Sequence, residues 1–193
     1  MLNGTGGGES HPGSVLAFAR FGAAPCVVLG QCRQGQTVDR PLDAAGLREA
    51  RRGLRLSREL RLPLVTIIDT PGAALSKEAE ERGLGGEIAR TLSELLTLPT
   101  PTVSLLLGQG TGGIALALAP ADRTLASQHA WLAPLPPEGA PAVVHRDTDH
   151  AADREEFCLR LADELGRALM EVMALDRHER LSLRQARYRG LGL

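Results

Sequence analysis

The sequence predicts an α/β domain built on a largely parallel sheet, and three observations carry that prediction. Leu64 to Ile68 (LVTII) and Val103 to Leu107 (VSLLL) are short, continuous apolar runs, the pattern of strands buried on both faces. Longer stretches beside them place apolar residues at helical spacing. The two kinds of segment alternate along the chain, as they do where helical crossovers join parallel strands.

Taken in order, the first thirteen residues are glycine-rich, with Gly4, Gly6, Gly7 and Gly8, and are expected to be flexible unless they dock. Ser14 to Arg20 (SVLAFAR) and Ala24 to Gly30 (APCVVLG) read as two strands joined by a turn containing Gly22. Asp43 to Leu60 has helical spacing at Leu47, Leu54 and Leu60, with arginines on the opposite face. The strand Leu64 to Ile68 follows and ends at Asp69-Thr70-Pro71-Gly72. Glu78 to Leu96 reads as one helix whose apolar stripe is Ile88, Leu92, Leu95 and Leu96, stopped by Pro99 and Pro101. After the strand Val103 to Leu107 come a glycine loop and a short helix, Ile114 to Ala119. Arg123 to Ala126 and Ala130 to Ala133 are short strands, and Glu155 to Ala174 and Asp176 to Tyr188 are helices, the second rich in arginine. No internal repeat interrupts this order.

At 193 residues the chain suits a single domain, 1–193, with enough length to bury a core. A formal net charge of −1 and 3% aromatic residues give no basis for binding nucleic acid or an anionic membrane surface. No apolar run is long enough to span a bilayer, and the N-terminus lacks a signal-peptide pattern. Cys26, Cys32 and Cys158 form no C-x-x-C pair and are expected as reduced thiols, Cys26 and Cys158 on apolar faces, which points to the cytoplasm. The five histidines are scattered, and His145 and His150 do not share a helix face, so no metal site is read.

Gly108-Gln109-Gly110-Thr111-Gly112-Gly113 is the main candidate site. It fits G-x-G-x-x-G in form, yet residues 130 to 136 offer no carboxylate for a ribose. It has P-loop spacing too, but Ile114-Ala115 stands where Lys-Ser/Thr would be. A tight strand-to-helix turn needs one or two glycines; four in six residues let something approach the backbone. Exposed amides at a helix start are the physics of an oxyanion hole. Asp69 to Ala74 lies at a strand end, where open parallel sheets bind ligands, although a turn with an Asp or Thr cap explains it equally well. Lys77 to Gly83 reads as a solvated helix start, and Glu138, in Pro134 to Gly139, as a cap.

Three blocks then carry a resemblance: IDTPGAALSKEAEERG (Ile68 to Gly83), GQGTGGIALA (Gly108 to Ala117) and PEGAPAVV (Pro137 to Val144). Together they resemble the carboxyltransferase of biotin-dependent acyl-CoA carboxylases, and more narrowly the alpha subunit of the bacterial acetyl-CoA carboxylase carboxyltransferase. Arg20-Phe21-Gly22 and Pro25 to Gly30 resemble the hairpin that precedes these blocks in the family.

The resemblance implies a crotonase-like (ClpP/crotonase) spiral of ββα units. It implies a carboxyltransferase half-site, completed by a beta-type partner that binds the acyl-CoA and fed by a biotin carboxyl carrier protein, within an oligomer. The backbone N–H groups of Gly112, Gly113, Ile114 and Ala115 are then expected to hold the charge developing on the biotin ureido oxygen. Gly72, Ala73, Gly110 and Thr111 are expected to shape the carboxybiotin pocket.

The chain departs from the family pattern at Ile114, where a glycine is usual and where a β-branched side chain is expected to narrow the pocket. Ala74-Leu75-Ser76 differs from the usual Tyr/Pro/Gly-like loop, and the segment between Asp147 and Glu155 is short. Two other readings stand beside the first: a non-catalytic structural or regulatory subunit of the same fold, and a crotonase-like acyl-CoA hydratase or isomerase. The last would use Glu138 or Asp69 as its base.

Overall fold

A computed structural model of the chain describes residues 1–5, 7–74, 76–133, 144–145 and 154–189. Strands β1 (Ser14–Phe21) and β2 (Ala24–Gln31) form the predicted hairpin and lead into helix α1 (Ala44–Leu60). Then come β3 (Leu64–Thr70), α2 (Lys77–Glu81), α3 (Leu84–Leu96), β4 (Thr102–Thr111) and α4 (Gly112–Leu116). Three short strands, β5 (Arg123–Ala126), β6 (Trp131–Ala133) and β7 (Val144–His145), precede α5 (Arg154–Met173) and α6 (Arg177–Arg189).

The sheet runs β1-β2-β3-β4-β5-β7, with β6 paired to the last three residues of β4. Only the β1–β2 pair is antiparallel among the described strands; every other pairing is parallel. Alternation along the strands sorts the core into two layers. Val27, Leu29, Leu64, Ile68 and Leu106 face α1, α3 and α4, packing on Ala50, Leu54, Leu95, Ala115 and Leu118. Cys26, Val28, Val65, Val103 and Leu105 face the other way, onto Leu165, Ala168, Leu169 and Val172 of α5. The sheet is thus apolar on both faces, which is why its central strands read as continuous apolar runs.

Local chemistry sets the helix ends. Asp43 caps α1, its carboxylate accepting the Ala45 and Gly46 N–H groups, and Ser76 caps α2 through the Ala79 N–H. The sequence pattern over 78–96 predicts one helix, but the chain breaks at Gly83, whose φ of 80° ends α2 and starts α3 on a new axis. The buried stripe of α3 is Leu84, Glu87, Thr91 and Leu95, one step round from the expected one. The N-terminal segment docks: the Leu2 N–H donates to the Leu16 carbonyl, and Arg52 Nη1 donates to the carbonyls of Leu2 and Gly4.

Cys26 is buried, and burial pushes its thiol up to about 11. Cys158 is exposed rather than buried, because α5 first packs on the sheet with the half-buried Leu161 and is buried against it only from Leu165.

Polar groups close the lower end of the fold. Arg184 is fully buried, and all five of its donors are used: Nε and Nη2 on Asp122, Nη1 on the Leu95 and Leu98 carbonyls, Nη2 also on the Thr100 carbonyl. Asp122 in turn accepts the Thr102 N–H and hydroxyl, at 2.7 and 3.0 Å. Arg187 donates to the Ala121 and Asp122 carbonyls, and Arg180 to that of Pro99. Two arginines of α6, Arg180 and Arg184, therefore point inward, while Arg177, Arg187 and Arg189 stay exposed.

Removing one partner from a buried, hydrogen-bonded ion pair strands the other charge, so Asp122→Ala is expected to lower stability by about 3–5 kcal/mol in urea unfolding. Glu87, buried between α1 and α3, gives a pH signature. Desolvation pushes its carboxyl up, but hydrogen bonds from Arg90 and Arg51 and their charges outweigh this and hold it below its ordinary value of 4.5. Its contribution is complete above that value and is lost as the pH falls through the depressed one. Acid unfolding of Glu87→Gln is expected to start from a lower stability and fall less steeply through this window.

Candidate functional site

The site lies where β3 and β4 run past the core at the same end of the sheet. From Ile68↔Leu106 to Thr70↔Gly110, β3 advances two residues while β4 advances four, so β4 bulges against Asp69. Asp69 Oδ1 accepts the Gln109 N–H at 3.1 Å inside that bulge. A Cβ on Gly108 would stand 2.6 Å from the same oxygen, and one on Gly110 would stand 2.4 Å from Leu132 Cδ1. Lacking both, residues 108–111 extend as strand, and 109–111 pair with β6, Gly110 opposite Leu132. The segment predicted as a loop is therefore the end of β4, and glycine there serves close packing.

The chain then turns sharply. Thr111 is extended, Gly112 has a φ of 72°, and α4 begins. Thr111 makes no cap on α4; its hydroxyl accepts from Gln109 Nε2 at 3.0 Å instead. The first-turn N–H groups of Gly112, Gly113 and Ile114 thus carry no side-chain cap. Ala115 is the fourth helical residue, where the intrahelical pattern directs the N–H to the Thr111 carbonyl. A left-handed residue followed by helical ones turns successive amides toward one point, the geometry of an anion-binding nest.

Gly72, with a φ of 128°, abuts this turn: a Cβ built on it would lie 3.9 Å from the Thr111 carbonyl oxygen. Ala73 bridges to Leu42, and the Ala74 N–H donates to the Leu42 carbonyl, which ties this loop to the approach to α1. The residues expected at the site, Gly72, Ala73 and Gly110 to Ala115, therefore converge on one end of the sheet. Ile114 departs from expectation. Its side chain is 1% exposed and packs among Leu42, Leu47 and Leu84, so it fills the core and leaves the cleft unnarrowed.

Sequence reading missed the supporting groups. Thr70 donates its hydroxyl to Gln36 Oε1 and accepts the Gly72 N–H, while Gln36 Nε2 donates to the Asp69 carbonyl. Gln31 Nε2 donates to the Ile114 carbonyl at 3.1 Å, fixing the first turn of α4. Arg33 Nη1 reaches Gln109 Oε1 at the rim. Two glutamines and an arginine near the end of a strand carry no periodic signal; the burial of Gln31 and Gln36 and the partners of all three mark them out.

Asp69 holds backbone, which is a supporting part rather than that of a free base. Pro134 to Gly139, including Glu138, lies outside the described residues. Among the described residues no cluster of three or more His, Cys, Asp or Glu side chains can hold a metal, and no helix is long and apolar enough to cross a membrane.

The family model described as acetyl co-enzyme A carboxylase carboxyltransferase-like matches residues 7–165. The probable biotin-dependent acyl-coenzyme A carboxylase beta3 subunit of Mycobacterium tuberculosis is 47% identical over 224 residues, which cover all of this chain and 45% of that protein. The acetyl-coenzyme A carboxylase carboxyl transferase subunit alpha of Mesorhizobium japonicum is 37% identical over 145 residues, covering 72% of this chain and 46% of that protein. The chain spans just under half the length of these curated relatives. Among solved structures, the Pseudomonas malonate decarboxylase MdcD–MdcE heterodimer superposes with a TM-score of 0.70 at 14% identity, over 86% of this chain and 81% of that one. At such identity the likeness is one of fold, and the fold is the crotonase-like one.

The bulge offers a direct test. Gly108→Ala drives a methyl group into the Asp69 carboxylate, so it is expected to cost about 1–3 kcal/mol of stability in urea unfolding. Adding Asp69→Ala removes the obstruction, and the double variant is expected to regain part of that loss.

Proposed function

The chain belongs to the acetyl co-enzyme A carboxylase carboxyltransferase-like family, and from that premise we propose that it is the carboxyltransferase component of an acyl-CoA carboxylase. On this reading residues 1–193 work as one alpha-type domain. A beta-type, CoA-binding half completes the site, and a biotin carboxyl carrier protein brings the carboxyl group. The acceptor is an acetyl- or propionyl-type CoA. The cytoplasm suits an assembly whose three thiols are unpaired.

The observation that carries the reading is the row of uncapped amides after β4, set against Gly72. Carboxybiotin, when bound, supplies the carboxyl group, and its ureido oxygen gathers negative charge as that group leaves. The residues present fit that need. Gly112, Gly113 and Ile114 aim N–H groups from a fixed turn, and no atom from outside that turn lies within 4 Å of where a Gly112 Cβ would sit. Ala115, buried directly behind them, anchors the turn in the core. Gly72 and Ala73 form one wall, and Gly110 and Thr111 set the floor from which α4 springs. Donors held in place by the fold need no reorganisation when charge develops, which is where oxyanion-type stabilisation gains its size. A site made of amides also explains why no pair of catalytic carboxylates stands out in the sequence.

Mixing the chain with a beta-type half, carboxybiotin and acetyl- or propionyl-CoA is expected to yield malonyl- or methylmalonyl-CoA. A verified complex that transfers no carboxyl group overturns the reading. Gly112→Ala meets open space but a strained φ, so it is expected to redirect the amides and lower kcat by about 10²-fold while the chain stays folded.

A further inference from the structure

A small cavity of about 20 Å³ lies between β2, α1 and α4, lined by buried residues that include Ser14, Gln31, Gly46, Glu49 and Ile114. Two of its side chains each leave one buried oxygen without a partner: Gln31 Oε1 and Glu49 Oε2. Both residues are more than nine-tenths buried. Their orientation is fixed from the other side. The Ile114 carbonyl requires a donor, so Gln31 turns its Nε2 there and its oxygen away. Glu49 accepts the Gly4 N–H on Oε1, which leaves Oε2 as the orphan. Two buried acceptors on one cavity, neither of them receiving a hydrogen bond, is an unfavourable arrangement in a low dielectric.

We propose that this cavity holds one structural water molecule, which donates one hydrogen to Gln31 Oε1 and the other to Glu49 Oε2. A water needs about 10–15 Å³ and two to four polar partners, and this cavity supplies both. The Ser14 hydroxyl, on the cavity wall, supplies a donor for the water's lone pair. A single water has two hydrogens for two acceptors, which an apolar side chain or an anion cannot offer. The water joins α1 to the first turn of α4 through Gln31, so Gln31 and Glu49 are positioning residues for that turn. This inference goes beyond the proposed activity and stands whether or not the chain transfers carboxyl groups.

The test is a high-resolution crystal structure of the full chain, grown with and without rubidium. The expected result is a single peak within hydrogen-bond distance of both Gln31 Oε1 and Glu49 Oε2, with no anomalous signal in rubidium. An empty cavity, a Gln31 turned onto a protein donor, or a rubidium-exchangeable peak with more than four ligands overturns it. In solution, Gln31→Met and Glu49→Met are each expected to lower Tm, and the double variant to lower it by less than the two shifts together. Glu49→Gln, which keeps a polar atom toward the water, is expected to recover most of the Glu49→Met loss. Strict additivity of the two shifts overturns the shared water.

Discussion

The buried pair of Asp122 and Arg184 is the constraint on which the rest of the molecule depends. β4 leaves the base of the sheet at Thr102, runs to the glycine turn, passes through α4 and returns to the base at Asp122. That excursion is closed by reciprocal hydrogen bonds between Thr102 and Asp122. A lone carboxylate at this depth would be strongly unfavourable. The guanidinium of Arg184 neutralises it and at the same time binds three carbonyls between the end of α3 and the start of β4, those of Leu95, Leu98 and Thr100. One side chain from the far end of the chain thus joins a helix C-terminus, a strand start and a loop. The glycine turn lies at the opposite end of the same strand, β4.

Much of the fold was legible in the residues, for a physical reason. Val27 to Leu29, Leu64 to Ile68 and Val103 to Leu107 are each buried on both faces, so apolar content alone marks them as strands. The break at Gly83 was not legible, because the expected apolar stripe begins only at Ile88 and the left-handed φ leaves no trace in periodicity. The glycines at 108 and 110 suggested a loop, whereas their role is to admit the Asp69 carboxylate and Leu132. That role depends on what faces them from β3 and β6, which no local window contains.

The candidate site was half legible. Its position came from glycine excess at a strand end, and the structure brings Gly72 to the same turn. What Ile114 does was not legible, since a β-branched residue beside glycines suggests an obstruction until its side chain is seen in the core. The inward course of Arg180 and Arg184 was not legible for a related reason. Arginine is a surface residue unless carbonyls and a carboxylate are arranged to receive it, and that arrangement is tertiary.

The docked N-terminal segment has a consequence for how the molecule meets others. β1 is the outer strand of the sheet, and an open outer strand is a template for strand addition by another chain. Near the start of β1 both backbone groups of Leu16 that face outward are already engaged, the carbonyl by the Leu2 N–H and the N–H by the Asn3 side chain. Strand addition is blocked at that point, so the docked segment guards the start of the sheet's β1 edge.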